Sequence, residues 1–234
     1  MPPKLPLIVF FDLDETLVQN TSDFVAILDS VLTERFPEIG SAERRGFMAA
    51  LRRSAESNWQ NMFSADSKRP VGNAWFGAAF ETIGQPYHHG EQFATCFVEK
   101  ASAATRIIDQ ALETLDFIRD RGIKTGVITN GFTQLQFAKL KTHKLMEHLD
   151  FPVASQQAGA HKPDPRVFNY ALDLAKLPAD CAWHVGDHLK NDVSGAKSVG
   201  MTAVHFDPDL QEAVASEADY RISQLSELQS LLNR

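Results

Sequence analysis

The stretch that most limits how this chain can fold lies near its start. "LPLIVFFDL", Leu5 to Leu13, is an aliphatic and aromatic run up to Phe11 that then meets an acid, Asp12. A strand with one wet face alternates apolar and polar residues, whereas a strand covered on both faces is apolar throughout. The run therefore predicts a buried parallel strand. Similar short runs recur at "IKTGVIT" (Ile123 to Thr129), "CAWHVGD" (Cys181 to Asp187) and "MTAVHF" (Met201 to Phe206), with helical patterns between them. From Asp109 to Arg121, Leu112, Leu115 and Ile118 fall on one face and Gly122 supplies a stop; from Pro165 to Lys176 the same face carries Phe168, Ala171, Leu172 and Ala175. Strands alternating with helices predict an α/β fold, a doubly wound, Rossmann-like parallel sheet built from βαβ crossovers.

The stretch from Thr21 to Arg106 has helix signals and no convincing strand. One helix is expected to start near Thr21 to Asp23 and stop before Pro37. Another starts at Ser41 and runs through Arg52 and Trp59, and shorter ones follow near Asn73 and Glu91. "SADSKRPVGN", Ser64 to Asn73, is the most loop-like segment. The expectation is a core of residues 1–20 and 107–234 with an all-helical insertion, 21–106.

With 234 residues, 44% of them hydrophobic, the chain can bury a sizeable core as one large domain or two smaller ones. A net charge of −7, with no basic run interleaved with aromatics, argues against nucleic acid or an anionic membrane as partner, yet leaves room for a local cationic pocket. Cys96 and Cys181 fit neither a disulfide framework nor a metal pair and are expected to be core thiols. Without a basic leader or a span-length apolar segment, the expectation is a cytoplasmic protein, monomer or homodimer.

Ligands of an open α/β sheet bind beyond the carboxyl ends of its strands, so the residues just after each run deserve comparison. Asp12, Asp14 and Thr16 follow the first; Thr129, Asn130 and Gly131 end the second; Asp187, Lys190, Asn191 and Asp192 follow the third; and Lys162 sits in "AHKPDP", a loop before a helix. Several carboxylates in one crevice repel unless a cation or protons compensate, and oxygen-only ligands suit a hard ion such as Mg²⁺. Lysine, hydroxyl and amide donors beside them suit the oxygens of a phosphoryl group. Metal-assisted phosphoryl transfer is the reaction these residue types favour.

"DLDET" (Asp12 to Thr16), "ITNG" (Ile128 to Gly131), "KP" (Lys162 and Pro163) and "GDHLKND" (Gly186 to Asp192) together resemble the four ordered motifs of the haloacid dehalogenase superfamily. The resemblance covers the whole chain and includes a helical cap of the first type. It implies that Asp12 is a nucleophile forming an aspartyl-phosphate, and that Asp14 is the acid for the leaving oxygen and then the base for water. It also implies that Thr129, Asn130 and Lys162 bind phosphate. Mg²⁺ would be held by Asp12, the backbone carbonyl of Asp14 and Asp187, with Thr16, Gly131 and Asp192 in support.

Each feature also has an ordinary structural explanation. Asp12 to Thr16 alone is a turn and a helix cap, Asn130-Gly131 a turn, Lys162 a solvated lysine, and Asp187 and Asp192 helix-start charges. His88 and His89 are read as surface residues, and His184 and His205 as core or edge residues. Trp59, Phe63, Trp75 and Phe76 are read as packing, and Arg52, Arg53, Lys68 and Arg69 as a solvated face.

Within the superfamily, Asp14 favours a phosphatase, because a departing halide needs no proton. "VITNGFTQLQ" and "KPDPRVFNYAL" resemble the branch of pyrimidine 5'-nucleotidases and N-acylneuraminate-9-phosphatase. The expected substrate is a small phosphorylated metabolite, a nucleoside monophosphate or a sugar phosphate. A phosphomutase, a dehalogenase or a non-catalytic binding protein are the alternatives.

Overall fold

The computed structural model describes residues 5–58, 71–209 and 217–233. The opening run forms β1 (Ile8–Phe11), each residue of which is fully buried. Its side chains alternate between two cores. Val9 and Phe11 join Leu115, Ile118 and Trp183 on one face, while Ile8 and Phe10 join Ile128, Val153 and Phe168 on the other. Both faces are covered, which is why the sequence shows no polar alternation.

Short strands β2 (Val18–Asn20) and β3 (Thr105–Ile107) pair as a separate two-stranded sheet. The main sheet adds β4 (Lys124–Thr129), β5 (Phe151–Ala154), β6 (Ala182–Gly186), β7 (Thr202–Phe206) and β8 (Tyr220–Ile222). Its order is β5-β4-β1-β6-β7-β8, with every neighbouring pair parallel. The chain builds outward from β1 to β5 on one side, then crosses to build β6 to β8 on the other. The crevice beyond the ends of β1 and β6 is therefore the topological switch point, where an open sheet binds ligands.

The chain divides into two compact units, one of Met1–Gln19 with Arg106–Arg234 and one of Asn20–Thr105. The second is helical: α1 (Phe24–Arg35), α2 (Ser41–Asn58), α3 (Val71–Thr82) and α4 (His89–Ala103). Asp23 caps α1 by accepting hydrogen bonds from the Val25 and Ala26 amides. Phenylalanines fill its interior: the Phe47 ring lies 4.8 Å from Phe80 and 5.1 Å from Phe93. Trp75 and Phe76 are buried here as packing residues. His89 is half-buried, its ring 5.2 Å from Phe36, so of the two histidines expected at the surface only His88 is exposed. The segment expected as a loop through Asn73 is already helical from Val71, and α4 is longer than its sequence signals suggest. Trp59, Phe63, Lys68 and Arg69 lie outside the described residues.

In the α/β unit, α5 (Ala111–Asp120) buries Leu115 and Ile118 against one face of the sheet, with α6 (Thr133–Thr142) following β4. After α7 (Ser155–Ala158), α8 (Pro165–Ala175) buries Val167, Phe168, Ala171 and Leu172 against the other face. Of the cysteines, Cys96 is buried and Cys181 is only half-buried, which corrects the expectation of two core thiols. No helix among the described residues is long and apolar enough to cross a membrane.

Gly126 in β4 shows how closely the layers meet. A Cβ there would sit 2.5 Å from the Phe10 ring and 2.8 Å from the Phe151 carbonyl oxygen. Gly126→Ala is expected to destabilise the fold by about 1–3 kcal/mol through overpacking, read as a lower urea midpoint at unchanged m-value.

Candidate active site

The strand ends place the sequence motifs at one edge of the sheet. Asp12 follows β1, its amide donating to the Val185 carbonyl at 2.8 Å, and its Oδ1 accepts from the Leu13 amide at 2.7 Å. Lys162 comes from the loop before α8. Asn130, just past β4, holds that loop from both sides: its Oδ1 accepts from the Lys162 amide at 2.8 Å and its Nδ2 donates to the Lys162 carbonyl at 3.1 Å. The Asn130 side chain is thereby committed to the Lys162 backbone. So held, Lys162 Nζ lies 2.8 Å from Asp12 Oδ1 and 2.6 Å from Asp192 Oδ1.

Asp192 sits in a π-helical turn (Leu189–Ser194) directly after β6. Its Oδ1 also meets His184 Nε2 at 2.9 Å, and its Oδ2 accepts from the His188 amide at 3.1 Å, so both oxygens are engaged. Gly186 makes this approach possible, since a Cβ there would fall 2.3 Å from Asp192 Cγ. Asp187 is half-buried; Thr16 Oγ1 donates to its Oδ1 at 3.4 Å, and its carbonyl meets His205 Nε2 at 3.0 Å.

Carboxylate oxygens of Asp12, Asp187 and Asp192 come within 4.8 Å of one another, and the buried Lys162 ammonium pairs with two of these residues, Asp12 and Asp192. Like charges 4.8 Å apart repel by about 3 kcal/mol at an effective dielectric near 20. Burial pushes the Asp12 carboxyl up to about 8, against the pull of Lys162 and with the push of Asp192 and Asp14. Burial, then Asp192, also raises Asp187. For Asp192 burial works the same way, but Lys162 and His184 outweigh it and hold that carboxyl below its usual range. Burial opposes the Lys162 charge too, and Asp12 and Asp192 overcome it. Burial lowers His184, against the pull of Asp192. A buried acidic cluster in which two members resist ionisation fits a divalent cation, which reverses that balance.

Asp14 belongs to the same edge but has partners of its own. Gln136 Nε2 donates to its Oδ2 at 2.9 Å and Lys139 Nζ pairs with its Oδ1. Gln136 Nε2 also lies 2.9 Å from Thr129 Oγ1 and 2.7 Å from the Asn130 carbonyl. Gly131, at φ +143°, has its amide on Ser155 Oγ at 2.9 Å, and a Cβ there would press on Gln136 at 3.0 Å. The sequence pattern did not single out Gln136 and Lys139, and it gave His184 as a core or edge residue with no part in the site. The signal was available in "LQFAKL": Leu135, Gln136, Lys139 and Leu140 form one buried helix face, and a lysine on such a face requires a partner.

The edge of the sheet at its switch point thus carries an aspartate after β1, a threonine ending β4, a lysine before α8 and paired aspartates after β6. A family described as haloacid dehalogenase-like hydrolase matches residues 7–200, and this chain belongs to it. It is 30% identical over 153 residues to the ribulose-1,5-bisphosphate 5-phosphatase of Halopiger xanaduensis, covering 62% of each chain. It is 27% identical to the glyceraldehyde 3-phosphate phosphatase of Pyrococcus furiosus, over 97% of this chain and 93% of that one. Among solved structures, a 2-haloacid dehalogenase from Pseudomonas syringae superposes with a TM-score of 0.79 at 27% identity, covering 99% of both chains. Some of the curated relatives are spanned over only 47% to 62% of their own length.

The two aspartates after β6 are separable by stability. Asp192→Ala strips acceptors from buried Lys162, His184 and the His188 amide and is expected to cost about 3–5 kcal/mol. Asp187→Ala, on a half-buried carboxylate that Thr16 Oγ1 meets at 3.4 Å, costs much less. Denaturant titration of the two variants side by side checks the ordering.

Proposed function

We propose that this protein is a Mg²⁺-dependent phosphatase that hydrolyses a small phosphomonoester through a phosphoryl group carried on Asp12. The observation that carries the reading is the Lys162 ammonium set against Asp12, in a crevice that also holds a second, separately anchored carboxylate, Asp14. One oxygen of Asp12 attacks phosphorus while the ester P–O bond breaks, and the Asp14 carboxyl gives its proton to the departing alcohol oxygen. The Asp14 carboxylate then takes a proton from water, whose oxygen attacks phosphorus, releasing inorganic phosphate and restoring Asp12. Lys162 offsets charge on Asp12 and on the phosphoryl oxygens. The Thr129 hydroxyl, whose oxygen already accepts from Gln136, is left to donate its proton to the phosphate. Asn130 contributes by fixing the Lys162 loop.

Asp12, Asp187 and the Asp14 carbonyl are the groups that would hold Mg²⁺, which when bound neutralises the acidic cluster and polarises the phosphoryl oxygens. Both Asp192 oxygens are already engaged, so it orients Lys162 instead. The helical unit is read as the cap that selects the leaving group. Relatives named for ribulose bisphosphate and glyceraldehyde 3-phosphate support a sugar phosphate over a nucleoside monophosphate.

The neighbouring structure described as a 2-haloacid dehalogenase brings forward a second reading, displacement of halide by Asp12. Asp14 weighs against it, since that step uses no proton donor.

Hydrolysis of p-nitrophenyl phosphate is expected to need Mg²⁺, to stop with EDTA and to resume when Mg²⁺ is restored. Asp12→Asn is expected to lower kcat on the order of 10³-fold or more. Full activity in EDTA would remove the metal from the account, and full activity in the variant would remove the nucleophile. Halide release from 2-chloropropionate with no phosphate ester turned over would favour the dehalogenase.

A further inference from the structure

The buried face of α6 carries two polar side chains that the reaction as written does not use. Gln136 is 2% and Lys139 6% exposed, and both are directed at Asp14. They stand three residues apart on the helix, one turn's spacing, so their ends reach neighbouring points. Each takes a different carboxylate oxygen: Gln136 Nε2 binds Oδ2 and Lys139 Nζ binds Oδ1. The carboxylate is gripped at both oxygens, which fixes its rotation as well as its place. The same Gln136 nitrogen lies 2.9 Å from Thr129 Oγ1, so the side chain that aims Asp14 also touches the hydroxyl assigned to phosphate.

A buried lysine lacking a counter-charge is costly, and a glutamine on an apolar helix face forgoes the packing a leucine would give. Asp14 needs such help because it is partly open: its side chain retains 28% exposure, against 7% for Lys139. A carboxyl that must hand a proton to one ester oxygen loses much of its effect if it swings to other rotamers.

We infer that Lys139 and Gln136 are positioning residues for the leaving-group step, holding Asp14 where its carboxyl meets the departing ester oxygen. The inference rests on the proton-transfer role of Asp14 proposed above. The bond changes are those already described; the two α6 side chains neither gain nor lose atoms. Their removal therefore affects an ester in proportion to how much its leaving oxygen needs the proton. A p-nitrophenolate ion leaves readily without one, whereas an alkoxide does not.

The test compares kcat/KM, which reports formation of the phosphorylated enzyme, across aryl and alkyl phosphate monoesters of rising leaving-group basicity. Wild type, Asp14→Asn, Lys139→Met, Lys139→Arg and Gln136→Leu are measured with Mg²⁺ present. For Lys139→Met the loss is expected to grow along the series, reaching about 10²-fold for an alkyl phosphate and far less for p-nitrophenyl phosphate. Gln136→Leu shows the same trend, and Lys139→Arg recovers part of the alkyl-ester activity. A loss that is equal for all esters in both Lys139→Met and Gln136→Leu, while Asp14→Asn is selective, overturns the inference alone. An equal loss in Asp14→Asn overturns the proton-transfer role and the inference with it. Should thermal melting show Lys139→Met unfolded, the Gln136→Leu and Lys139→Arg series decide.

Discussion

The arrangement depends on one buried cation. Lys162 Nζ lies within 2.8 Å of both Asp12 and Asp192, at a point with almost no access to water. An isolated ammonium at that depth would be prohibitive, and so would either carboxylate. Much of the surrounding structure serves to make the trio tolerable. Asn130 clamps the Lys162 backbone, His184 and the His188 amide complete Asp192, and Gly186 omits the side chain that would keep Asp192 away. Strand β1 is deeply buried for the same reason, since it delivers Asp12 to this point from a position rigid on both faces.

Around that cation the acidic residues take different parts. Asp192 is ionised and bound at both oxygens, which makes it structural support for the lysine. Asp12 resists ionisation in the absence of a further positive charge, the condition that a divalent ion would relieve. Asp14 is anchored separately from α6, which keeps it from merging into the same cluster. Catalysis with two carboxyls of unlike role requires such a difference in surroundings, and here it is supplied by different partners.

The continuous apolar runs identified β4, β6 and β7 within a residue and β1 within three, because burial on both faces leaves a continuous apolar pattern. Strand β5 was missed: "FPVA" is short and carries Pro152, which is tolerated because β5 lies at the sheet edge. Strands β2, β3 and β8 are three residues each and too brief to show a period. At the site, Asp12, Asp187 and Asp192 were legible because they follow apolar runs where strands of an open sheet end, and Lys162 because it stands in one of four motifs that occur together in order. Gln136, Lys139 and His184 were not, since polar residues inside helical or strand patterns acquire meaning only when their partners, distant in sequence, are brought beside them. The side-chain role of Asn130 was hidden likewise, for its partner is backbone.

The central claim is that the phosphoryl group passes through Asp12. It is tested most directly by mixing the Mg²⁺-loaded protein with a ³²P-labelled phosphomonoester, quenching in acid during turnover and mapping the labelled peptide. The account predicts hydroxylamine-labile label on the peptide containing Asp12, absent from Asp12→Asn. Turnover with no label on the protein, or label on a residue other than Asp12, would contradict it.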